Sequence, residues 1–261
     1  MPAGHRARKR FSQNFLHDAH YLGRIVAAIA PRDGQHIVEI GPGLGALTER
    51  LIAAGGHIAC VEIDRDLARR LRERFTPEQL ALIEGDALEL DWVSVARTAG
   101  GTARIVGNLP YHISTPLLFA LLPAAAQIMD QHFMLQREVV DRMVAAPGGK
   151  DYGRLSVTLQ LRYRMTKLFD VPPGAFTPAP RVVSSIVRML PRVAHELPDV
   201  EFASIGRVVA AAFGQRRKTL RNALANLLDE DAIRAAGIEP GARAETLTLE
   251  AFIALAKALR S

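Results

Sequence analysis

Asn108-Leu109-Pro110-Tyr111 is a run whose residue types together suit chemistry on a planar amine. Pro110 biases Leu109 toward an extended backbone and removes one N–H, which leaves a stiff turn. The Asn108 side-chain oxygen and a main-chain carbonyl, with that of Leu109 the candidate, can then accept both hydrogens of one amine. Tyr111 offers a flat face to the base carrying it. An aryl amine is a poor nucleophile because its lone pair is delocalised into the ring. Two acceptors can hold its hydrogens while that lone pair rehybridises toward an electrophile in line with it. Asparagine takes no proton at neutral pH, so the chemistry is one of alignment. Standing alone, the run reads better as a proline turn with a packed tyrosine.

Three other features give it a context. His36 to Ala46, HIVEIGPGLGA, is a short β-branched strand running into Gly41, Gly43 and Gly45 around Pro42, then into a helical pattern. Glycines there allow backbone angles and a close ligand approach that a Cβ would block, and the turn presents free N–H groups beside a strand end. Gly41-x-Gly43-x-x-Ala46 also fits a dinucleotide fingerprint. Glu62 follows about 20 residues past the first glycine, where a carboxylate accepts from both ribose hydroxyls of a nucleoside. Asp86, in Gly85-Asp86-Ala87-Leu88, can accept from an exocyclic adenine amine; a turn-forming aspartate is the competing reading. The three strand ends describe a pocket for adenosine with a polar extension, which NAD and S-adenosylmethionine both satisfy. The Asn108 run favours the second.

The elements that must hold these residues alternate. Strands are expected at His36–Ile40, His57–Ile63, Leu80–Glu84, Arg104–Gly107 and Gln131–Leu135, with helices over 46–54, 65–75 and 137–146. Asp18 is placed to cap a helix over 19–30. This is an α/β pattern: a mostly parallel sheet covered on both faces, with each polar landmark just past a strand's carboxyl end. A helix through Leu155, Leu159 and Tyr163 leads to two further strands joined by PPGAFTPAP. Beyond a linker at 191–198 the pattern is helical throughout and carries Gln215-Arg216-Arg217-Lys218 and Arg221. The basic arm GHRARKR, residues 4–10, precedes Phe11, Phe15 and Leu16, which dock the chain on the body.

The 261 residues are 49% apolar and 23% charged, ordinary for a soluble globular protein, with a net charge of +6 that favours an anionic partner. Cys60 is the sole cysteine, which excludes an intrachain disulfide and points to a reducing compartment. Membrane-spanning and secretory segments are not expected, so a cytoplasmic protein is. The histidines lack metal-ligand spacing, and no metal is expected.

QNFL (Gln13–Leu16), EIGPGLG (Glu39–Gly45), EID (Glu62–Asp64), GDAL (Gly85–Leu88), NLPY (Asn108–Tyr111) and FTPAPRVVSS (Phe176–Ser185), in this order over nearly the whole chain, resemble the ribosomal RNA adenine N6-dimethyltransferase family. Within it, YGRLSV (Tyr152–Val157) and FGQRRKTLRNAL (Phe213–Leu224) resemble the members that dimethylate two adjacent adenosines near the 3′ end of small-subunit rRNA. The resemblance implies a Rossmann-like class I methyltransferase sheet in residues 1–192 and a small all-helical rRNA-recognition domain in 193–261. It assigns S-adenosyl-L-methionine to Asn14, Leu16, Gly41, Glu62, Asp86 and Asn108, with Gly41 at the methionine end, Glu62 at the ribose and Asp86 at the adenine. Asn108 and Leu109 would serve the target amine, and Tyr111 and Phe176 would cage a flipped adenine. The partner implied is the small ribosomal subunit or its precursor, met by a monomer. An NAD oxidoreductase would leave the Asn108 run idle. A large-subunit methylase is disfavoured by FGQRRKTLRNAL, and a non-catalytic assembly factor by the intact Asn108 motif.

Overall fold

The computed structural model describes residues 13–98, 103–215 and 217–259; the basic arm, Phe11 and Arg216 lie outside them. The described chain opens with β1 (Phe15–Leu16) and α1 (Ala19–Ile29). It then alternates through β2 (His36–Ile40), α2 (Ala46–Ala53), β3 (His57–Glu62), α3 (Arg65–Arg74), β4 (Leu80–Glu84), α4 (Trp92–Thr98), β5 (Ala103–Asn108), α5 (Ser114–Ala120), β6 (Ile128–Gln136) and α6 (Arg137–Met143). Next come α7 (Arg154–Gln160), β7 (Tyr163–Val171), β8 (Phe176–Thr177) and β9 (Ser184–Pro191). Helices follow: α8 (Phe202–Gly214), α9 (Leu220–Ala223), α10 (Glu230–Ala235) and α11 (Leu249–Ala258).

The main sheet has seven strands in the order β4-β3-β2-β5-β6-β9-β7. From β4 to β6 all pairings are parallel, while β9 runs antiparallel to β6. Parallel strands are covered on both faces, which is why β2 and β5 are buried over almost their whole length. Strand order reverses between β2 and β5, and such a switch point opens a crevice at the carboxyl ends. Asp18 caps α1, accepting from His20 N at 2.9 Å and Tyr21 N at 3.3 Å. Tyr163, expected on a helix, instead opens β7: α7 stops at Gln160, whose carbonyl accepts from Arg192 Nε at 2.8 Å. The paired strands β1 and β8, a separate two-stranded sheet, have no counterpart in the sequence reading.

At the opposite end of β5 from the crevice, a buried ion pair ties α1 to the sheet. Arg104 grips Asp130 with two parallel bonds, Nε to Oδ1 at 2.8 Å and Nη2 to Oδ2 at 2.7 Å. Its remaining hydrogens go to the carbonyls of Ile29 and Ala30 at the end of α1 and to Gln35 Oε1. The guanidinium thus satisfies helix carbonyls that have no partner within the helix.

The chain divides into two compact units, one running to Val140 and including Thr166–Pro191, the other Asp141–Met165 and everything from Arg192. The third break lies between Pro191 and Arg192, beside the boundary expected at 192, and residues 141–165 group with the helices. Tyr152, Val157 and Leu161 are part of the helical core with Val208, Phe252 and Leu255. The Tyr152 ring meets Phe213 edge-on, and Phe213 in turn stacks on Phe252 at 5.7 Å.

Removing one partner of the Arg104–Asp130 pair strands a buried charge. Asp130→Ala should therefore destabilise the protein by about 3–5 kcal/mol in urea denaturation, and Asp130→Asn, which keeps one acceptor, by less.

Candidate active site

The carboxyl ends of β2, β3, β4 and β5 enclose a cleft of about 260 Å³, near the lower end of small-molecule sites. Its walls bring together Asn14, Leu16, Gly41, Glu62, Asp86, Asn108, Leu109 and Tyr111, residues scattered over most of the sheet-forming sequence. The glycine turn between β2 and α2 has Gly41, Gly43 and Gly45 at φ of 67°, 60° and 77°, the left-handed region open to residues without a Cβ. A Cβ on Gly43 would also stand 3.0 Å from the Phe15 ring.

Glu62, at the end of β3, is 5% exposed. Its Oε2 accepts from Gly43 N at 3.3 Å and its Oε1 from Asp64 N at 2.9 Å. Burial pushes its pKa up, opposed by these backbone donors. Each oxygen keeps a lone pair, so the carboxylate can brace the glycine loop and still accept from two hydroxyls. Asp86 accepts from Leu88 N at 2.9 Å to form a turn, and it also lines the cleft.

Asn108 closes β5 beside the glycine loop. Its Nδ2 donates to the Asn14 carbonyl at 3.0 Å. A carbonyl can only accept, so this contact dictates which way the amide faces: the nitrogen is spent on the protein and Oδ1 is left as an acceptor. Leu109 is buried, with its N–H donating to the Met134 carbonyl at 3.2 Å. Tyr111 is half-buried on the wall, and its hydroxyl lies 3.0 Å from Ser184 Oγ, which holds the ring in place. Burial raises its pKa, so the phenol stays neutral.

Phe176 is placed differently from the expectation. It is 3% exposed, pairs with Leu16 across β1 and β8, and packs into the core rather than onto the cleft wall. Its neighbour in that pairing reaches the cleft; Phe176 anchors it. Among the described residues no group of three or more His, Cys, Asp or Glu could hold a metal ion.

Two site residues escaped the sequence reading. Gly107 pairs with Ile40, and a Cβ there would stand 2.6 Å from the Ile40 carbonyl. Glu39, a buried acid within a strand of apolar residues, accepts from Thr48 Oγ1 at 2.6 Å and lines the cleft floor. A charged residue in the middle of an apolar run was the available signal. Burial lifts its pKa from 4.5 to about 7, helped by the nearby charge of Glu62 and opposed by the Thr48 hydrogen bond.

A switch-point sheet with a glycine loop at the reversal, an acid at the end of β3 and an amide at the end of β5 defines a Rossmann-like methyltransferase. Residues 4–261 match the family model described as Ribosomal RNA adenine dimethylase. The chain belongs to that family, and is an S-adenosylmethionine-dependent enzyme methylating adenine in ribosomal RNA. It is 59% identical over 251 residues to Ribosomal RNA small subunit methyltransferase A of Aromatoleum aromaticum, covering 96% of this chain and 93% of the relative. Against the protein of that name from Bordetella petrii it is 57% identical over 258 residues, covering 98% and 96%. A dimethyladenosine transferase from Plasmodium falciparum superposes with a TM-score of 0.78 at 24% identity, over 92% of this chain and 95% of that one. The 23S rRNA methyltransferase ErmE does so at 0.70 and 25% identity, over 95% and 100%.

The Glu39 titration has a sign that stability measurements can read. The unfolded side chain loses its proton near pH 4.5, the folded one near 7. The folded state therefore holds a proton that the unfolded state gives up, and stability falls as pH rises through that window. Glu39→Gln, which keeps an acceptor for Thr48, should match the wild type below pH 4.5 and exceed it by about 3 kcal/mol at pH 8. Urea melts of both proteins across pH 4 to 8 give the difference directly; a constant offset would mean Glu39 stays ionised.

Proposed function

We propose that this enzyme dimethylates the N6 amines of two adjacent adenosines near the 3′ end of small-subunit rRNA, acting as a cytoplasmic monomer on the subunit or its precursor. The orientation of the Asn108 amide carries the reading of the chemistry. The choice of subunit is supported by the names of relatives above 50% identity and by the Phe213–Leu224 segment.

The cleft suits S-adenosylmethionine: Glu62 retains acceptors for a ribose, Asp86 stands beyond the next strand, and buried Glu39 lies on the floor to receive positive charge. When bound, that cofactor supplies an electrophilic methyl group. Asn14, Leu16 and Gly41 would enclose its methionine end. The protein's part at the target is alignment. Asn108 Oδ1 and the Leu109 carbonyl each take one N6 hydrogen, which turns the nitrogen lone pair out of conjugation. Tyr111 supports the base from one face, its ring fixed through Ser184. No side chain has to accept a proton in the transition state; water takes it from the methylated amine afterwards. Phe176 contributes by holding Leu16 and the strand it lies on rather than by stacking.

Asn108→Ala should lower single-turnover methyl transfer to unmethylated small subunits by about a hundredfold or more, with smaller losses in cofactor and RNA affinity. Asn108→Asp keeps the oxygen and should retain more activity. Wild-type turnover by the alanine variant would sink the mechanism. Glu62→Ala should weaken S-adenosylmethionine binding by about 1–3 kcal/mol in calorimetry while leaving subunit binding intact. Unchanged cofactor affinity would displace the ribose from this residue.

A further inference from the structure

Residues 13–16 form a strap along the cleft, held at three points. Gln13 Nε2 donates to Asp64 Oδ2 at 3.1 Å. Asp64 is itself buried and held by hydrogen bonds: its Oδ1 caps α3 by accepting from Asp66 N at 3.0 Å, and its N–H donates to Glu62 at 2.9 Å. The Asn14 carbonyl receives Asn108 Nδ2 at 3.0 Å. Phe15 and Leu16 then pair with Thr177 and Phe176. A main-chain carbonyl is aimed only if the chain is held on both sides of it. The β1–β8 pairing holds the side after Asn14, and the Gln13–Asp64 contact holds the side before.

We infer that Gln13 is a positioning residue for methyl transfer: its bond to Asp64 fixes the Asn14 carbonyl and, through it, the direction in which Asn108 presents Oδ1. The inference rests on the role proposed for Asn108 and extends it. The strap also links the two halves of the site, since Asp64 is bonded to Glu62 on the cofactor side and Asn14 to Asn108 on the target side. Glutamine suits the position because it reaches Asp64 with a neutral donor. A carboxylate there would face Asp64 without a proton to share.

The test is single-turnover methyl transfer to unmethylated small subunits at saturating S-adenosylmethionine, with cofactor affinity and melting temperature measured for every variant. Gln13→Ala should lower the saturated rate by about threefold to tenfold, the worth of one hydrogen bond, with little change in cofactor affinity or melting. Gln13→Glu should lose at least as much. Combining it with Asp64→Asn should restore the rate, because the amide introduced at position 64 can donate to the new carboxylate while its oxygen still caps α3. In the Asn108→Ala background, Gln13→Ala should cost nothing further, since the residue it works through is gone. Full-rate Gln13→Ala, an added loss in that double variant, or failure of the paired exchange would overturn the inference and leave the role of Asn108 standing. Wild-type turnover by Asn108→Ala alone would instead remove the functional reading beneath it.

Discussion

The contact between β2 and β5 sets the terms for everything above it. Gly107 lies against Ile40, with no room for a Cβ before the Ile40 carbonyl. Because the two strands meet this closely in parallel register, their next residues, Gly41 and Asn108, emerge side by side. A Cβ on Gly41 would stand 3.8 Å from the Asn108 carbonyl. In the proposed function one residue begins the loop that meets the cofactor and the other carries the acceptor for the target amine. A methyl transfer in line needs donor and acceptor within a few ångström, and here adjacency in the sheet supplies that distance before any side chain acts.

The charges around this junction are arranged with little waste. Glu62 is held by backbone donors from the glycine loop and from its own turn, which offset part of the rise in pKa that burial imposes. Glu39 has a hydroxyl and a thiol for company and is correspondingly harder to ionise. A ligand that brings positive charge to the floor would be met by a carboxyl able to respond to it. At the far end of the sheet, Arg104 and Asp130 neutralise each other.

Much of this was legible in the sequence where local chemistry and period agreed. The strand, glycine loop and helix at 36–53, the acids past β3 and β4, and the amide past β5 all announce themselves by residue type at a strand's end. What stayed hidden depended on partners distant in sequence. Gly107 looks like an ordinary weak point in a strand until Ile40 is set beside it. Glu39 interrupts an apolar run, a visible anomaly whose meaning waits on Thr48. The strap at 13–16 pairs with residues 176 and 177, too short a ribbon to leave a periodic signal. Phe176 is drawn toward the substrate by its motif context alone, and its burial against the strand that carries Leu16 likewise depends on a partner distant in sequence.

Residues 141–165 give the chain an unusual itinerary. It passes between the two compact units after Val140, after Met165 and after Pro191. Tyr152, Val157 and Leu161 are therefore encoded upstream of two sheet strands yet complete the core of the C-terminal helices. The helical unit is not a module that a recombination event could add or remove in one piece. A segment cut at residue 192 would carry away α8 to α11 without the side chains that fill their centre, and leave those side chains stranded on the other fragment. Exchange of the helical unit between members of this family would require two separate segments to be replaced together, at three junctions, so its divergence is expected to proceed by point substitution on an intact scaffold rather than by shuffling.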